Sequence, residues 1–253
     1  MGQLVQAMGG PAYLGMSKRQ CDGRRALISH TGELSGYVAF KDSWRYPDQE
    51  RTDYVAHGRN TLLGYMIGVQ DLDITHGGQV ITLFSGDRGW VMDRSGVSEM
   101  PDTSVSEFQE GLRQSVDNLL RLRMKEAGTT YRWAGLDTVD LREVDWVEIS
   151  TSDGRTVRLA VDRSTHLLVR SMVATKDEES GRGHEDVVVY TNYQPRDGVQ
   201  VPLQITREKD GRRAAQIFYE NCRVNPDLPA DFFTKEALEK RFHDTGGKQK
   251  NKK

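Results

Sequence analysis

No run of eighteen apolar residues occurs in this chain, so no segment of it reads as a membrane-spanning helix. Cysteine is scarce, with Cys21 and Cys222 the only two. An even number permits one disulfide in an oxidising compartment, while two lone cysteines are more often buried or incidental side chains, and both readings stay open. Excess charge is also missing: 35 Lys and Arg stand against 37 Asp and Glu in 253 residues, a formal charge of −2. With a pI near 6.3, bulk electrostatics exclude a general nucleic-acid binder. There is no charged-then-apolar leader either, since Met1-Gly2-Gln3 runs straight into Leu4-Val5-Gln6-Ala7-Met8 and Gly9-Gly10. That start fits a cytosolic protein or one whose leader is removed.

Motifs that organise catalysis are lacking too. The six histidines, His30, His57, His76, His166, His184 and His243, stand without ligand spacing to one another or to the cysteines. No HExxH, CxxC or calcium-loop pattern occurs, and no GxSxG, GxxxxGK[ST] or GxGxxG. Gly86-Asp87-Arg88-Gly89 precedes a strand rather than a helix and reads as a turn. Asp140, Glu143, Asp145 and Glu148 could in principle do acid/base work, but on strands such carboxylates ordinarily hold the solvent face. The expectation is a non-enzyme with no cofactor and no metal.

What the chain does have is a repeated device between Asp137 and Arg223: an alternating apolar strand, an Asp-Gly turn, and another alternating strand. The turns are Asp153-Gly154, Asp197-Gly198 and Asp210-Gly211. A three-residue loop at Ser152-Asp153-Gly154 pairs Ile149 with Val157 and Val147 with Leu159, leaving Arg155 and Arg158 outward or at the rim. The same loop at Lys209-Asp210-Gly211 pairs Glu208 with Arg212, Leu203 with Ile217, Ile205 with Ala215 and Val201 with Tyr219. Earlier strands are read at 18–30, 34–42, 51–57, 71–76, 78–85 and 88–93, with 61–70 undecided between strand and helix.

Helices are few. Residues 3–8 form a short one closed by Gly9-Gly10. One long amphipathic helix runs from Ser104, with a Ser104-Glu107 capping box, to Ala127, stopped by Gly128. Val105, Phe108, Leu112, Val116, Leu119, Leu120 and Met124 form its apolar stripe, which must lie on the inner face of the sheet. Residues 236–243 look weakly helical. The closing Gly-Gly-Lys-Gln-Lys-Asn-Lys-Lys reads as a solvated, disordered tail.

Trp44, Trp90, Trp133 and Trp146 fall at strand positions, where core packing is the plain account. The sharper one is that a single curved sheet around one helix leaves its concave side incompletely filled, so that large apolar residues line a cavity.

The order of several segments resembles the periplasmic outer-membrane lipoprotein carrier (LolA-like) superfamily over most of residues 4–234. These are the helix ending in Gly9-Gly10, Ser35-Gly36-Tyr37-Val38-Ala39-Phe40 leading to Tyr46-Pro47 and Arg51, and Gly89-Trp90-Val91-Met92-Asp93. Further along come Val157 to Leu168 with Asp162 and Thr165-His166-Leu167, then Asp197-Gly198-Val199-Gln200-Val201-Pro202, Val224-Asn225-Pro226 and Phe232-Phe233. The resemblance implies a mainly β fold with some α: an unclosed antiparallel β-barrel, a half-barrel of roughly eleven strands, covered by the long helix. It implies a non-catalytic binder of an acyl chain, lipid or lipoprotein, periplasmic once a leader is removed, that exchanges its cargo with membrane-associated donor and acceptor proteins. Where the carriers proper place Arg directly before Pro, this chain has Tyr46, with Arg45 one residue earlier. Lipid binding is therefore the transferable property, and lipoprotein shuttling one version of it.

Residues 1–243 are thus expected to form a single lipid-binding domain, and 244–253 a disordered basic tail. The expected lid residues are Phe108, Leu112, Val116, Leu119 and Leu120, facing Trp90, Met92, Val147, Ile149, Val157, Leu159 and Val161. Pro202, inside a strand, is expected at an edge or bulge. The alternative function is an envelope adaptor or sensor with a packed interior that accepts a partner's strand.

Overall fold

The computed structural model describes residues 1–29, 31–56, 61–69, 78–176 and 183–249. Thirteen strands are described: β1 (Lys18–Ile28), β2 (Leu34–Arg45), β3 (Gln49–Ala56), β4 (Gly78–Ser85), β5 (Arg88–Met92), β6 (Val97–Glu99), β7 (Thr130–Val139), β8 (Arg142–Ser150), β9 (Thr156–Asp162), β10 (Leu168–Lys176), β11 (Gly183–Arg196), β12 (Val199–Lys209) and β13 (Arg212–Val224). Their order in one antiparallel sheet is β6-β5-β4-β3-β2-β1-β13-β12-β11-β10-β9-β8-β7. The sheet is unclosed, with β6 and β7 as its edges. Thirteen strands replace the roughly eleven expected, β6 being too short to show an alternation. The expected strand at 71–76, the last residue of 51–57, and His30, His57 and His76 lie outside the described residues.

The helices are α1 (Gly2–Ala7), α2 (Pro11–Leu14), α3 (Thr61–Ile67), α4 (Asp102–Gln114), α5 (Val116–Arg121) and α6 (Lys235–Gln249), with a 3-10 turn at Arg123–Lys125. The undecided segment 61–70 is thus helical over most of its length. The long helix expected over 104–127 is broken. Ser115 is extended (φ −58°, ψ 122°), and its hydroxyl accepts from the Asn118 amide, so it starts a new helix instead of continuing the old one. Ser104 is no cap: α4 begins at Asp102, behind Pro101, and the Ser104 hydroxyl donates to the Gly68 carbonyl at 3.2 Å.

The first of the two predicted hairpins is as expected, and the last forms none of its expected pairs. Ser152-Asp153-Gly154 closes a three-residue loop with Gly154 at φ 81°, and Ile149 pairs Val157 and Val147 pairs Leu159. The last hairpin differs. Lys209 pairs Arg212, so the loop is the two residues Asp210 (φ 51°) and Gly211 (φ 73°), a left-handed pair whose twist matches the flanking strands. By itself that would invert the faces of β13. A bulge between Arg207 and Glu208 restores them, and Ile205 meets Ile217. Pro202 lies in an interior strand. It pairs Tyr193 on β11, but the ladder to β13 covers only Gln204–Lys209, so its missing N–H interrupts nothing there.

The chain divides into two compact units, Ser17–Leu112 with Glu220–Lys253, and Met1–Met16 with Arg113–Tyr219. In the first, one sheet face carries Ile81, Leu83, Trp90 and Met92, packed with Phe233 and Leu238 of the C-terminal segment. Arg51 sits beneath that segment. It holds Asp53 through two hydrogen bonds (2.8 and 3.2 Å), donates to the Phe232 carbonyl at 3.3 Å, and lies 4.3 Å from the Phe232 ring centroid. Cys21 on β1 and Cys222 on β13 form a disulfide, so the alternative left open by the sequence closes in favour of pairing.

In the second unit, Leu4 of α1 and Tyr13 of α2 are fully buried. Gly9 turns the chain between the two helices at φ 128°, where an added Cβ would overlap the Gly198 carbonyl oxygen. The Tyr13 hydroxyl donates to Asp117 at 3.0 Å, and Arg121 donates to the Met16 carbonyl; these bonds hold α5 to the N-terminal helices.

Candidate functional site

Helix α4 presents Phe108 to the sheet in the first unit. Its ring stacks on Phe84 at 4.5 Å between centroids and on Trp44 at 6.1 Å, and Trp44 stacks on Tyr46 at 6.0 Å. The register explains the grouping: Trp44 pairs Glu50 on β3 and Glu50 pairs Phe84 on β4, so the three share a face. All four aromatic side chains are only half-buried, as is Leu112 one turn along the helix. The result is a continuous aromatic surface within reach of solvent.

Trp90 and Met92 do not belong to this surface. They pair Leu83 and Ile81, whose positions alternate with Phe84, which puts them on the opposite sheet face among Phe233 and Leu238. The expectation placed them under the helix because Gly89-Trp90-Val91-Met92 is apolar on both faces, and alternation cannot choose a face for such a run.

The second unit gathers the remaining expected residues. Val147, Ile149, Val157, Leu159 and Val161 share one face of β8 and β9; Ile149, Val157 and Leu159 are buried, whereas Val147 and Val161 are half-buried. On α5, Val116, Leu119 and Leu120 are buried. The same sheet face continues through Leu168 and Val173 of β10 to Val188 and Tyr190 of β11, Ile205 of β12 and Ile217 of β13, the last four half-buried. Sequence reasoning missed Val188 and Tyr190, because Val187-Val188-Val189-Tyr190 shows no alternation. The only available signal was register transmitted from Ile205. Tyr193, farther along β11, donates its hydroxyl to the Leu168 carbonyl at 2.9 Å, and burial pushes its pKa well above the usual value, with Tyr190 and Asp117 adding to the rise.

The four carboxylates considered for acid/base work are engaged with cations or an indole. Asp140 meets Arg170 at 3.4 Å, Glu143 meets Arg163 at 3.2 Å, and Glu148 meets Arg132 at 2.7 Å. Asp145 accepts from the Trp133 indole at 3.0 Å. Three other carboxyls are held below the usual range. The Thr138 amide and then the Trp146 indole lower Asp137. Burial would raise Asp162, but donors on Ser164 and Thr165 outweigh it. The Thr151 hydroxyl, with Arg123 and Arg155, lowers Asp153 far against the opposing effect of burial. Carboxyls held this firmly ionised are poor proton donors near neutral pH. Among the described residues no three His, Cys, Asp or Glu side chains form a metal-binding group, and no helix is long and apolar enough to cross a membrane.

No family model matches the chain, and no curated protein matches it in sequence. Its fold, however, is similar to those of several solved structures. A DUF1329-family protein from Desulfovibrio piger superposes with a TM-score of 0.57 at 14% identity, over 93% of this chain and 96% of that one. A putative outer-membrane lipoprotein-sorting protein domain from Vibrio parahaemolyticus gives 0.57 at 10% identity, over 94% and 98%. A LolA superfamily protein from Nitrosomonas europaea gives 0.52 at 15% identity, over 93% and 99%.

Proposed function

We propose that this protein is a non-catalytic binder of acyl chains in a bacterial envelope, with the periplasm as its compartment and lipid or lipoprotein as its cargo. The observation that carries the reading is the half-buried aromatic surface of Trp44, Tyr46, Phe84 and Phe108, extended by Leu112. A folded protein without a ligand for such a surface would gain by burying it completely. Each CH₂ taken from water onto it contributes about 0.8 kcal/mol, so a chain of a dozen or so offsets an association cost of several kcal/mol and leaves micromolar binding within reach. Contacts of this kind discriminate poorly between acyl chains, which suits a carrier.

Native mass spectrometry of protein purified without added lipid is the direct test, together with titration by a fluorescent fatty acid. Phe108→Glu and Leu112→Glu are the informative variants, because both positions are half-buried and accept a charge without opening a sealed core. Each is expected to weaken fatty-acid binding at least tenfold in a protein that remains folded. Uptake unchanged in both variants would remove this surface from the site. Val116→Glu is unsuitable, since Val116 is 7% exposed and the charge would be stranded.

A second reading, an adaptor that accepts a partner strand, is favoured by edge strand β7, on which Tyr131, Trp133 and Leu136 are 60%, 62% and 59% exposed. Protein that is empty in the mass spectrometer and also fails to take up the fatty acid favours this adaptor.

A further inference from the structure

On the sheet face opposite Val147 and Leu159, strands β7 to β10 enclose a depression of about 430 Å³, lined by Trp146, Arg158, Arg170, Met172 and the segment from Asp137 to Asp140. Its floor is the indole of Trp146, itself 6% exposed, in a small apolar cluster with Val139, Val144, Ala160 and Val169. Arg158 lies over that indole, its guanidinium carbon 4.8 Å from the ring centroid. The carboxylate opposite it in register, Glu148, accepts from Arg132 through its Oε1 at 2.7 and 3.1 Å. The Nε of Arg158 and the Nε of Arg170 are both buried with no hydrogen-bond acceptor. Arg170 reaches Asp140 only through one 3.4 Å contact, and Asp140 is largely exposed.

Asp137 lines the same depression and feels the charge of both arginines, but it accepts no hydrogen bond from either. One of its oxygens accepts from the Thr138 amide at 2.7 Å and the other from the Trp146 indole at 3.2 Å. Arg158 therefore stands over an aromatic floor and Arg170 lines the same depression, each with one buried N–H donor unused, which is a costly arrangement. The guanidinium fork is matched to the paired oxygens of phosphate or carboxylate.

The balance of charge narrows the ligand. Arg158 and Arg170 bring two positive charges and Asp137 and Asp140 two negative ones, so the lining is neutral before anything binds. A dianion would face two carboxylates unopposed. A zwitterion keeps the balance, with its oxyanion on the arginines and its cation on the exposed carboxylate of Asp140. The volume exceeds what a bare phosphate needs and leaves room for ester substituents.

We propose that this depression is a binding site for a zwitterionic phosphodiester of the phosphoethanolamine type, with Arg158 and Arg170 on the phosphate, Trp146 beneath it and Asp140 on the ammonium group. It lies on the other sheet face from the apolar surface of its unit and does not depend on acyl-chain binding. The probe is glycerophosphoethanolamine, which has no acyl chains, titrated by calorimetry beside inorganic phosphate and glycerol. Tighter binding of the phosphodiester than of phosphate by tenfold or more, lost in Arg158→Gln and Arg170→Gln and weakened severalfold in Asp140→Asn, supports the site. Arg158→Lys, which keeps the charge and discards the fork, is expected to recover only part of the affinity. Phosphate binding as tightly as the diester overturns the zwitterion. No binding of either, or binding unchanged in Arg158→Gln, overturns the site itself. Fatty-acid uptake is unaffected in these variants if both proposals hold, so failure here and failure of the acyl-chain reading are distinguishable.

Discussion

Asp153 shows how much a single turn residue can be asked to do. It accepts from the Thr151 hydroxyl, receives the Arg123 guanidinium at 2.9 Å and the Arg155 guanidinium at 2.7 Å, and occupies the middle of the β8–β9 loop. Those donors favour the charged form and depress its pKa. A carboxyl depressed on folding stabilises the native state above its unfolded pKa of about 4, and that contribution fades as the pH falls through the folded value. Asp153→Asn is accordingly expected to lower the melting temperature at pH 7, while the gap to the parent narrows steadily below about pH 4. Thermal melts across pH 2–7 measure this, and a gap independent of pH would refute the linkage. The importance of Asp153-Gly154 as a turn was legible in the sequence, because the rule is local. The role of Arg123 was not, because it arrives from a different element.

Among the elements, the helical segment after β6 is the most instructive. Its apolar stripe is real: Phe108 and Leu112 are half-buried and Val116, Leu119 and Leu120 are buried. The periodicity nevertheless runs across a break. Ser115 followed by Asp117 is a helix start as good as Ser104 and Glu107, and Gly111 weakens the turn before it. Once the hydroxyl of Ser115 has captured the Asn118 amide, a new helix starts and the stripe is divided between the two. Ser115→Ala is expected to cost about 1 kcal/mol in urea unfolding. A cost below about 0.3 kcal/mol would mean that the cap is idle. Strand elements were easier to read where one face is polar, as in β12, and harder in β5 and β11, whose consecutive apolar residues hide which side faces the aromatic surface or the sheet interior. The face of Trp90 was misread for that reason.

For the molecule as a whole, one covalent tie joins the first and last strands in sequence, which are neighbours within the strand order. Cys21 and Cys222 are 201 residues apart in sequence yet neighbours on β1 and β13. Closing so long a loop restricts the unfolded chain strongly, by about 5 kcal/mol in the chain-entropy picture. Denaturant unfolding of the Cys21→Ala, Cys222→Ala protein should show a loss of that order, and a difference under 1 kcal/mol would indicate that the pair is reduced in the working protein. The fold shared with the Desulfovibrio, Vibrio and Nitrosomonas proteins at 10–15% identity shows what such an architecture requires: alternation, turns and length, with few particular residues.

Read alone, the chain settles its own punctuation: where it turns, which residues alternate, and that a mainly antiparallel sheet results. These depend on neighbours a few positions apart, whose sterics and hydrogen bonds act before any distant contact forms. Tertiary structure decides which face of a doubly apolar strand meets the aromatic surface, that Cys21 meets Cys222, and that Arg158, Arg170 and Trp146 line one depression. These depend on strand order and on bulges that shift register by one residue, and a shift of one exchanges the two faces of a sheet.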